Sequence, residues 1–341
     1  MAWDLDEPSP LLAPLLSAGA VAFAGLTQAR RWAYRAGLFE TARLTAPVIS
    51  VGNLTVGGNS KTPLVAWLVA RLRERGVEPV IVARSFGEAP GAPLIAARRG
   101  EAPRSAREVG DEARLLAQLT GAAVVVGQSK RRAAELAIAE LGAQAILVDD
   151  GFQHLALARD LDLLLLDAAR PFGNGHLLPR GSLREPPSAV ARAHLVGLVY
   201  GPGVTEAAPE APTGDFTLRA RALGLRALEG GAPLGLEALA GREVALAAAI
   251  ARPERFGQLV RSLGATVVEE AYFRDHQPIP PAALERLGQR ASLIVVTAKD
   301  AARWSEPQSG AIAVLEIGVE LTHGQERLSE ALDQALQRRP R

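Results

Sequence analysis

The stretch PVISVGNLTVGGNSKTPLVAWLVARLRERG, residues 47–76, places an apolar run, a glycine-rich loop and a helical pattern in direct succession. The run PVISVGN (47–53) is short and rich in Val and Ile, which predicts a strand covered on both faces. The segment TPLVAWLVARLRERG (62–76) has helical periodicity and ends at a glycine. In α/β proteins the backbone N–H groups of a loop between such a strand and helix converge on phosphate. The stretch therefore predicts an α/β fold with a phosphate site at this loop.

The same alternation of strand and helix continues after residue 76. Apolar strand-like runs follow at EPVIVAR (78–84), AAVVVG (122–127), QAILVDD (144–150) and LDLLLLD (161–167), with helical patterns between them. Short Val-, Ile- and Leu-rich strands separated by helices indicate a mostly parallel sheet with helices on both faces. This is the expected P-loop-type nucleotide-binding domain.

A segment rich in Gly, Pro and Ala (201–214) interrupts the pattern, which then resumes in a second, smaller α/β unit. Its strand-like runs are REVALAAAI (242–250), ATVVEE (265–270), SLIVVT (292–297) and AIAVLEI (311–317). The predicted organisation is an N-terminal helical segment, a domain that contains the phosphate loop, a connector and a second α/β domain: residues 1–45, 46–200, 201–235 and 236–341.

Composition excludes several classes of protein. The 341 residues suit about two domains, and a net charge of +1 gives no sign of a nucleic-acid partner. The absence of Cys excludes disulfides and thiolate zinc sites.

The N-terminal run LLAPLLSAGAVAFAGL (11–26) is apolar and precedes Arg30, Arg31 and Arg35. A membrane-spanning helix needs about 20 apolar residues, and this run is shorter and contains Pro14. Acidic residues come before it, unlike the basic start of a secretory signal. Two interpretations remain: a helix on a membrane surface with its arginines toward headgroups, or a helix packed on the domain core.

The loop VGGNSKT (56–62) has the context of an ATP phosphate loop but departs from the pattern G-x-x-x-x-G-K-[ST] at both glycine positions. Lys61 is expected to reach the β- and γ-phosphates, and the Thr62 hydroxyl to bind Mg²⁺. The alternative is an ordinary glycine-rich turn. The predicted ATP-binding residues are Thr55, Val56, Gly57, Gly58, Asn59, Ser60, Lys61 and Thr62.

Two adjacent carboxylates, Asp149 and Asp150, end the apolar run at 144–150. An acid at the carboxyl end of a parallel strand, in the same sheet as a phosphate loop, is suited to bind Mg²⁺. In an extended backbone the two side chains point to opposite sides, so only one would touch the metal. The alternative is a simple turn, because Asp-Gly is common there.

Six motifs occur in an order that resembles the tetraacyldisaccharide 4′-kinase family: GNLTVGGNSKTP (52–63), VGDE (109–112), DDGFQH (149–154), FGNGHLLPRGSLREP (172–186), RDHQ (274–277) and TAKDA (297–301). The resemblance covers nearly the whole chain. It implies an ATP- and Mg²⁺-dependent kinase that phosphorylates the 4′-hydroxyl of a tetraacyldisaccharide 1-phosphate and so makes lipid IVA in lipopolysaccharide synthesis. It also implies a peripheral protein at the cytoplasmic face of the bacterial inner membrane, with the N-terminal helix on the bilayer. We expect no nucleic-acid partner and no obligate protein partner.

The resemblance also implies roles for single residues. Asp111 resembles the family's catalytic base, and His276 resembles the histidine that supports it from the second domain on closure. By position alone, Asp111 is an acid that favours a helix N-terminus. The Mg²⁺ candidates are Thr62 and Asp150, with Asp149 and Glu185 behind them.

Two arginines of the motif PRGSLRE, Arg180 and Arg184, are candidates to hold a phosphate of the substrate or of the nucleotide. A plain salt-bridge role is the alternative for each. Lys299 and Asp300 of TAKDA are expected near the nucleotide.

Several motif positions depart from the family pattern. Ser60 replaces the glycine beside Lys61, and Ser85 and Phe86 replace the glycine and tyrosine of a further segment, here ARSFGE (83–88). If position 60 needs a positive φ, its Cβ costs roughly 1–3 kcal/mol. Two alternatives to a working kinase are therefore a degenerate nucleotide- or lipid-binding paralogue and a soluble P-loop ATPase.

Overall fold

The computed structural model describes residues 12–57, 60–84, 91–230, 232–275, 277–304, 308 and 310–337. Within these ranges the helices are α1 (Ala13–Arg35), α2 (Lys61–Glu74), α3 (Ala106–Val109), α4 (Asp111–Thr120), α5 (Lys130–Leu141), α6 (Pro253–Ser262), α7 (Pro281–Arg290), α8 (Ala298–Ala301) and α9 (Gln325–Gln337). The strands are β1 (Val48–Asn53), β2 (Pro79–Arg84), β3 (Leu94–Ala97), β4 (Ala123–Gly127), β5 (Ala145–Asp149), β6 (Leu161–Asp167), β7 (Leu195–Tyr200), β8 (Phe216–Ala227), β9 (Glu243–Ala248), β10 (Thr266–Tyr272), β11 (Ile294–Thr297) and β12 (Ile312–His323). Short 3₁₀ turns cover Pro187–Arg192 and Leu236–Leu239.

All of these strands join one sheet, in the order β10-β9-β11-β12-β8-β7-β6-β1-β5-β2-β4-β3. Neighbouring strands in the sheet run parallel, except for the antiparallel pairs β3–β4 and β8–β12. Strand β1 lies between β5 and β6 and is buried along its length, as its apolar sequence predicts. The predicted fold class, a mostly parallel sheet with helices and a second α/β unit, is confirmed.

Helices cover the sheet because each presents a row of apolar side chains to it. On one side, Leu64, Leu68 and Leu72 of α2 share a buried cluster with β1, α4 and β6. On the other side, the alanines of α5 pack on β2, β4 and β5. The C-terminal helix α9 returns to the first side, where Leu328 and Leu332 join the cluster of α2.

Strand β8 lies inside the predicted connector (201–235), which corrects the sequence prediction at that point. Its sequence FTLRARALGLRA mixes arginines with apolar residues, and only some of its side chains are buried. Its first residues pair with β7 and its whole length with β12, while β12 also pairs with β11. The β8–β12 pair thus joins an N-terminal half (residues 46–200) to a C-terminal half (residues 236–323). The sequence analysis also missed β3 and β7. The domain boundaries themselves remain a prediction.

Helix α1 packs with one face and leaves another exposed. Leu16 and Ala33 are buried, and Gly19 lies so close to Pro179 that an added Cβ would come within 3.0 Å of its ring. Leu15, Val21 and Leu26 are each more than 70% exposed. Among the helices of the described residues, none is both long enough and apolar enough to cross a bilayer.

Candidate active site

A cleft of about 350 Å³ opens at the carboxyl ends of β1, β5 and β7, where the N-terminal half faces the C-terminal half. Carboxyl ends of parallel strands are where α/β proteins bind ligands. The N-terminal half contributes the phosphate loop, the acid pair and Arg184, and the C-terminal half contributes residues of the β9–α6 loop, Asp275 and Lys299. The described residues of the phosphate loop and the motifs at 149–150 and 297–299 therefore meet in one cleft.

The predicted phosphate loop lies between β1 and α2. Val56, Gly57 and Ser60 line the cleft, whereas Thr55 is buried and forms an isolated bridge with Leu183. Ser60 precedes α2 with φ 55°, in the left-handed region. This is the conformation in which a side chain is disfavoured, so the departure from glycine has a structural cost. Gly58 and Asn59 lie outside the described residues.

Lys61 begins α2 and points to the carboxyl ends of β1 and β5. Its Nζ donates to Asn53 Oδ1 at 3.0 Å and lies 3.4 Å from Asp150 Oδ1. Arg184 donates to both oxygens of Asp150, at 2.7 and 2.8 Å, and also to the Asn53 side chain. Two cations are thus held side by side at the floor of the cleft, where a polyphosphate would need them.

The two adjacent acids both line the cleft, which differs from the prediction that they point to opposite sides. Asp149 is the last residue of β5, and Asp150 has φ 52°, so the backbone is not extended there. Burial and, second to it, the charge of Glu112 raise the pKa of Asp149 to about 6. Burial would raise the pKa of Asp150 too, but Lys61 and Arg184 outweigh it and hold that pKa far below its usual range.

The residues present fit Mg²⁺. Asp149 Oδ1 is buried and has no hydrogen-bond partner within the described ranges, as a carboxylate oxygen reserved for a cation would be. Thr62 lines the same cleft and offers a hydroxyl. No group of three or more His, Cys, Asp or Glu residues in the described part of the chain forms a metal cage. Mg²⁺ does not need one, because one or two carboxylates and the nucleotide phosphates complete its shell.

Asp111 begins α4, is 8% exposed and is joined to the C-terminal half. Its Oδ2 accepts a hydrogen bond from Arg303 Nε at 2.8 Å. The next residue, Glu112, lines the cleft and lies 3.4 Å from Lys299 Nζ, which in turn lies 3.1 Å from Asp275. The predicted base therefore lies beside the cleft, within an ion-pair network between the two halves. His276 lies outside the described residues.

Two other predicted site residues do not line the cleft. Glu185 is buried and accepts two hydrogen bonds from Arg192, at 2.7 and 2.9 Å. Arg180 is half-buried in the loop before β7, where its backbone carbonyl accepts a hydrogen bond from Asn174. A direct role for Glu185 in metal binding thus finds no geometric support here.

Lys130 was missed by the sequence analysis. It begins α5, is 1% exposed and donates to the backbone carbonyl of Asp149. Burial lowers its pKa, while the charges of Asp150 and Asp149 raise it. Its position in the helical pattern could have shown that Lys130 is buried. Lys130 falls on the same helical face as Ala133, Ala134 and Ala137, where an apolar residue is expected.

Asp167 and two arginines were also missed. Asp167 ends β6 and is buried, and it accepts hydrogen bonds from Arg252 and Arg255, which line the cleft from the C-terminal half. Burial raises the pKa of Asp167, but the two arginines outweigh it and lower that pKa. Asp149 was predicted as a site residue because it is an acid at the carboxyl end of a parallel strand. Asp167 occupies the same kind of position at the end of β6, so the same reasoning could have identified it.

Comparison with known proteins identifies one family. The model of the LpxK family, tetraacyldisaccharide-1-P 4′-kinase, matches residues 11–337. The tetraacyldisaccharide 4′-kinase of Anaeromyxobacter dehalogenans (strain 2CP-C) is 40% identical, over 97% of this chain and 93% of that protein. The enzyme of that name from Vibrio cholerae (strain ATCC 39315) is 35% identical, over 87% of this chain and 84% of that protein. The crystal structure of an "apo" form of LpxK from Aquifex aeolicus in complex with ATP superposes with a TM-score of 0.77 at 27% identity, over 95% of this chain and 99% of that one. The chain therefore belongs to the tetraacyldisaccharide-1-P 4′-kinase family.

Proposed function

We propose that this protein transfers the γ-phosphate of ATP to the 4′-hydroxyl of a tetraacyldisaccharide 1-phosphate, giving lipid IVA in the lipid A pathway. The observation that carries the proposal is the meeting of a phosphate-loop lysine, Lys61, with the acids Asp149 and Asp150 in one cleft, beside the buried carboxylate Asp111. Family membership favours this activity over a paralogue without turnover and over a soluble P-loop ATPase.

In this proposal the loop and the cations position the phosphates. The N-terminus of α2 would face the triphosphate, and Lys61 and Arg184 would offset its negative charge. Thr62 and the acids Asp149 and Asp150 would hold Mg²⁺, which supplies charge neutralisation at the β- and γ-phosphates when bound.

Asp111 is proposed to accept the proton of the 4′-hydroxyl. A carboxylate suffices because phosphoryl transfer depends mainly on positioning and charge stabilisation. Arg303 would orient this carboxylate, since its Nε holds Oδ2 while its Nη1 is fixed by Asp300 Oδ1 at 2.8 Å. Support from His276 is proposed on the family resemblance.

Helix α1 is proposed to hold the protein on the cytoplasmic face of the inner membrane. Its exposed face presents Leu15, Val21, Leu26 and Trp32. An amphipathic helix of this kind buries its apolar face at the lipid boundary, and a four-chain acceptor stays in that layer because each buried methylene is worth about 0.8 kcal/mol. The acceptor would thus meet the cleft at the bilayer surface.

The test is transfer of labelled phosphate from ATP to the tetraacyldisaccharide 1-phosphate in detergent micelles. We expect the wild type to be active and Asp111→Asn to lose about 10²- to 10⁴-fold in turnover, the usual contribution of a general base. Asp333→Asn removes an exposed carboxylate on α9 and serves as the matched control. A folded wild type that binds ATP but labels no lipid would refute the kinase assignment.

A further inference from the structure

A second cavity, of about 340 Å³, lies between the C-terminal end of α1 and the segment that leads from β5 into β6. Its wall is basic: it contains four arginines and a histidine, namely Arg31, Arg35, Arg159, Arg192 and His194. The phosphate-transfer chemistry described above uses none of these five residues.

The carboxylates near this cavity do not balance its arginines. Asp162 pairs with Arg159 at 2.8 Å, and Glu185 pairs with Arg192 at 2.7 Å. Arg31 lies 3.9 Å from the Glu185 carboxylate that Arg192 already occupies. Within the described ranges, Arg35 forms no ion pair. Among the described residues, four guanidinium groups thus face two carboxylates, which leaves the two cations of α1 to an anion.

Two further features favour an anion here. Burial lowers the pKa of Arg31, and the positive charges of Arg192 and Arg35 lower it further, although Glu185 raises it. A bound anion would relieve this crowding of like charges. His194 Nδ1 accepts the backbone N–H of Asp162 at 2.9 Å, so the neutral ring has its proton on Nε2 and can donate with it.

The surroundings of the cavity indicate a membrane surface. Trp32, Leu38 and Phe39 flank Arg31 and Arg35 along the chain and are 63%, 65% and 52% exposed. Tryptophan with neighbouring apolar side chains is typical of the headgroup level of a bilayer. The cavity therefore lies at the basic end of the helix whose apolar face is exposed.

We propose that this cavity binds the phosphate group of an anionic membrane phospholipid, held by Arg31, Arg35 and His194. Arginine suits this ligand because its planar fork makes paired hydrogen bonds to phosphate oxygens. The inference rests on the proposed contact of α1 with the membrane. It adds one defined headgroup site, which would fix the orientation of the protein on the bilayer.

The test is co-sedimentation with vesicles of phosphatidylcholine, with and without phosphatidylglycerol, in the absence of ATP and acceptor. Arg35→Gln changes an exposed residue, so the fold should be retained. We expect it to weaken binding to phosphatidylglycerol vesicles by tenfold or more and to leave binding to neutral vesicles unchanged. Arg30→Gln is the matched control: it removes one charge from the same helix outside the cavity, and diffuse attraction alone predicts about a fivefold loss.

Equal losses in Arg30→Gln and Arg35→Gln would overturn the proposal in favour of diffuse attraction. In a second arm, inorganic phosphate at constant ionic strength should compete with phosphatidylglycerol vesicles in the wild type but not in Arg35→Gln. Unchanged vesicle binding by Arg35→Gln with a raised KM for the acceptor would assign the cavity to the acceptor instead. A wild type that binds no vesicle would refute the membrane contact itself. Because vesicle binding is measured without ATP and acceptor, a wild type that binds vesicles but transfers no phosphate would refute only the proposed kinase activity.

Discussion

Ser60 has a left-handed backbone, φ 55°, where the phosphate loop becomes α2. A side chain in this region costs roughly 1–2 kcal/mol relative to glycine, partly offset by the greater freedom of glycine in the unfolded chain. We expect Ser60→Gly to raise the free energy of unfolding by about 0.5–1 kcal/mol, as measured by urea denaturation. Asp150→Gly is the contrast: φ there is 52°, but Lys61 and Arg184 lose their partner, so that variant should be less stable. A destabilised Ser60→Gly would show that the serine hydroxyl makes a contact worth more than the strain.

Arg303 connects Asp111 with the C-terminal half through three hydrogen bonds. Its Nε donates to Asp111 at 2.8 Å, and its Nη1 donates to Asp300 at 2.8 Å and to the Ala249 carbonyl at 2.9 Å. Lysine keeps the charge but cannot make these bonds together, so Arg303→Lys should misorient Asp111. We expect kcat to fall by about tenfold with little change in KM for ATP. A variant with normal kcat would remove Arg303 from the positioning of the base.

His154 is held neutral by its surroundings. Burial and, second to it, the charge of Lys130 lower its pKa to about 3. The unfolded chain, with an ordinary pKa near 6.5, then binds more protons than the native state as the pH falls from about 6.5 toward 3, so stability is lost in that range. We expect the free energy of unfolding to fall by up to about 1.4 kcal/mol for each pH unit in this range, and His154→Gln to reduce this dependence on pH. Urea denaturation at several pH values measures the free energy of unfolding. An equal dependence on pH in the wild type and in His154→Gln would contradict a neutral, buried His154.

At the scale of elements, α5 begins with a buried cation instead of an apolar residue. Lys130 donates to the carbonyl that ends β5, so the helix N-terminus and the acid pair are fixed together. Lys130→Met keeps the volume but leaves that carbonyl without its donor, which costs about 1–3 kcal/mol of stability. It also removes a charge that lowers the pKa of Asp149, so Mg²⁺-dependent ATP binding should weaken.

Calorimetric titration with ATP and Mg²⁺, beside urea denaturation, measures both effects of Lys130→Met. Arg132→Met serves as the control, because it also removes a cation from the first turn of α5 but at an exposed position. Equal effects of the two variants would indicate a general role of helix charge instead of the buried contact.

At the scale of the whole molecule, the cleft is bounded by charge pairs between two halves that share one sheet. Asp167 holds Arg252 and Arg255 across the cleft. We expect Asp167→Asn to leave the two arginines without their shared partner, to increase hydrogen exchange in α6 and to raise KM for ATP severalfold. Glu270→Gln breaks an ion pair that lies entirely within the C-terminal half and is the control. Unchanged exchange in α6 would show that the ion pairs of Asp167 do not hold α6 against the N-terminal half.

The sequence by itself determined the elements whose signal is local. The strand–loop–helix unit at 47–76, most of the parallel strands and the acid pair at the end of β5 follow from periodicity and from the chemistry of strand ends. Strand β8 was missed because its arginines break the apolar pattern, and a partly exposed strand has no strong local signal.

Only the tertiary structure decided which charges meet. Asp111 and Arg303 are 192 residues apart, and Asp167 and Arg252 are 85 apart, so no pattern along the chain links them. Likewise, the left-handed turn at Asp150 brings both acids into the cleft, and burial makes Lys130 a structural cation. Periodicity reports which face of an element is covered, whereas the partner of a buried charge depends on how distant segments pack.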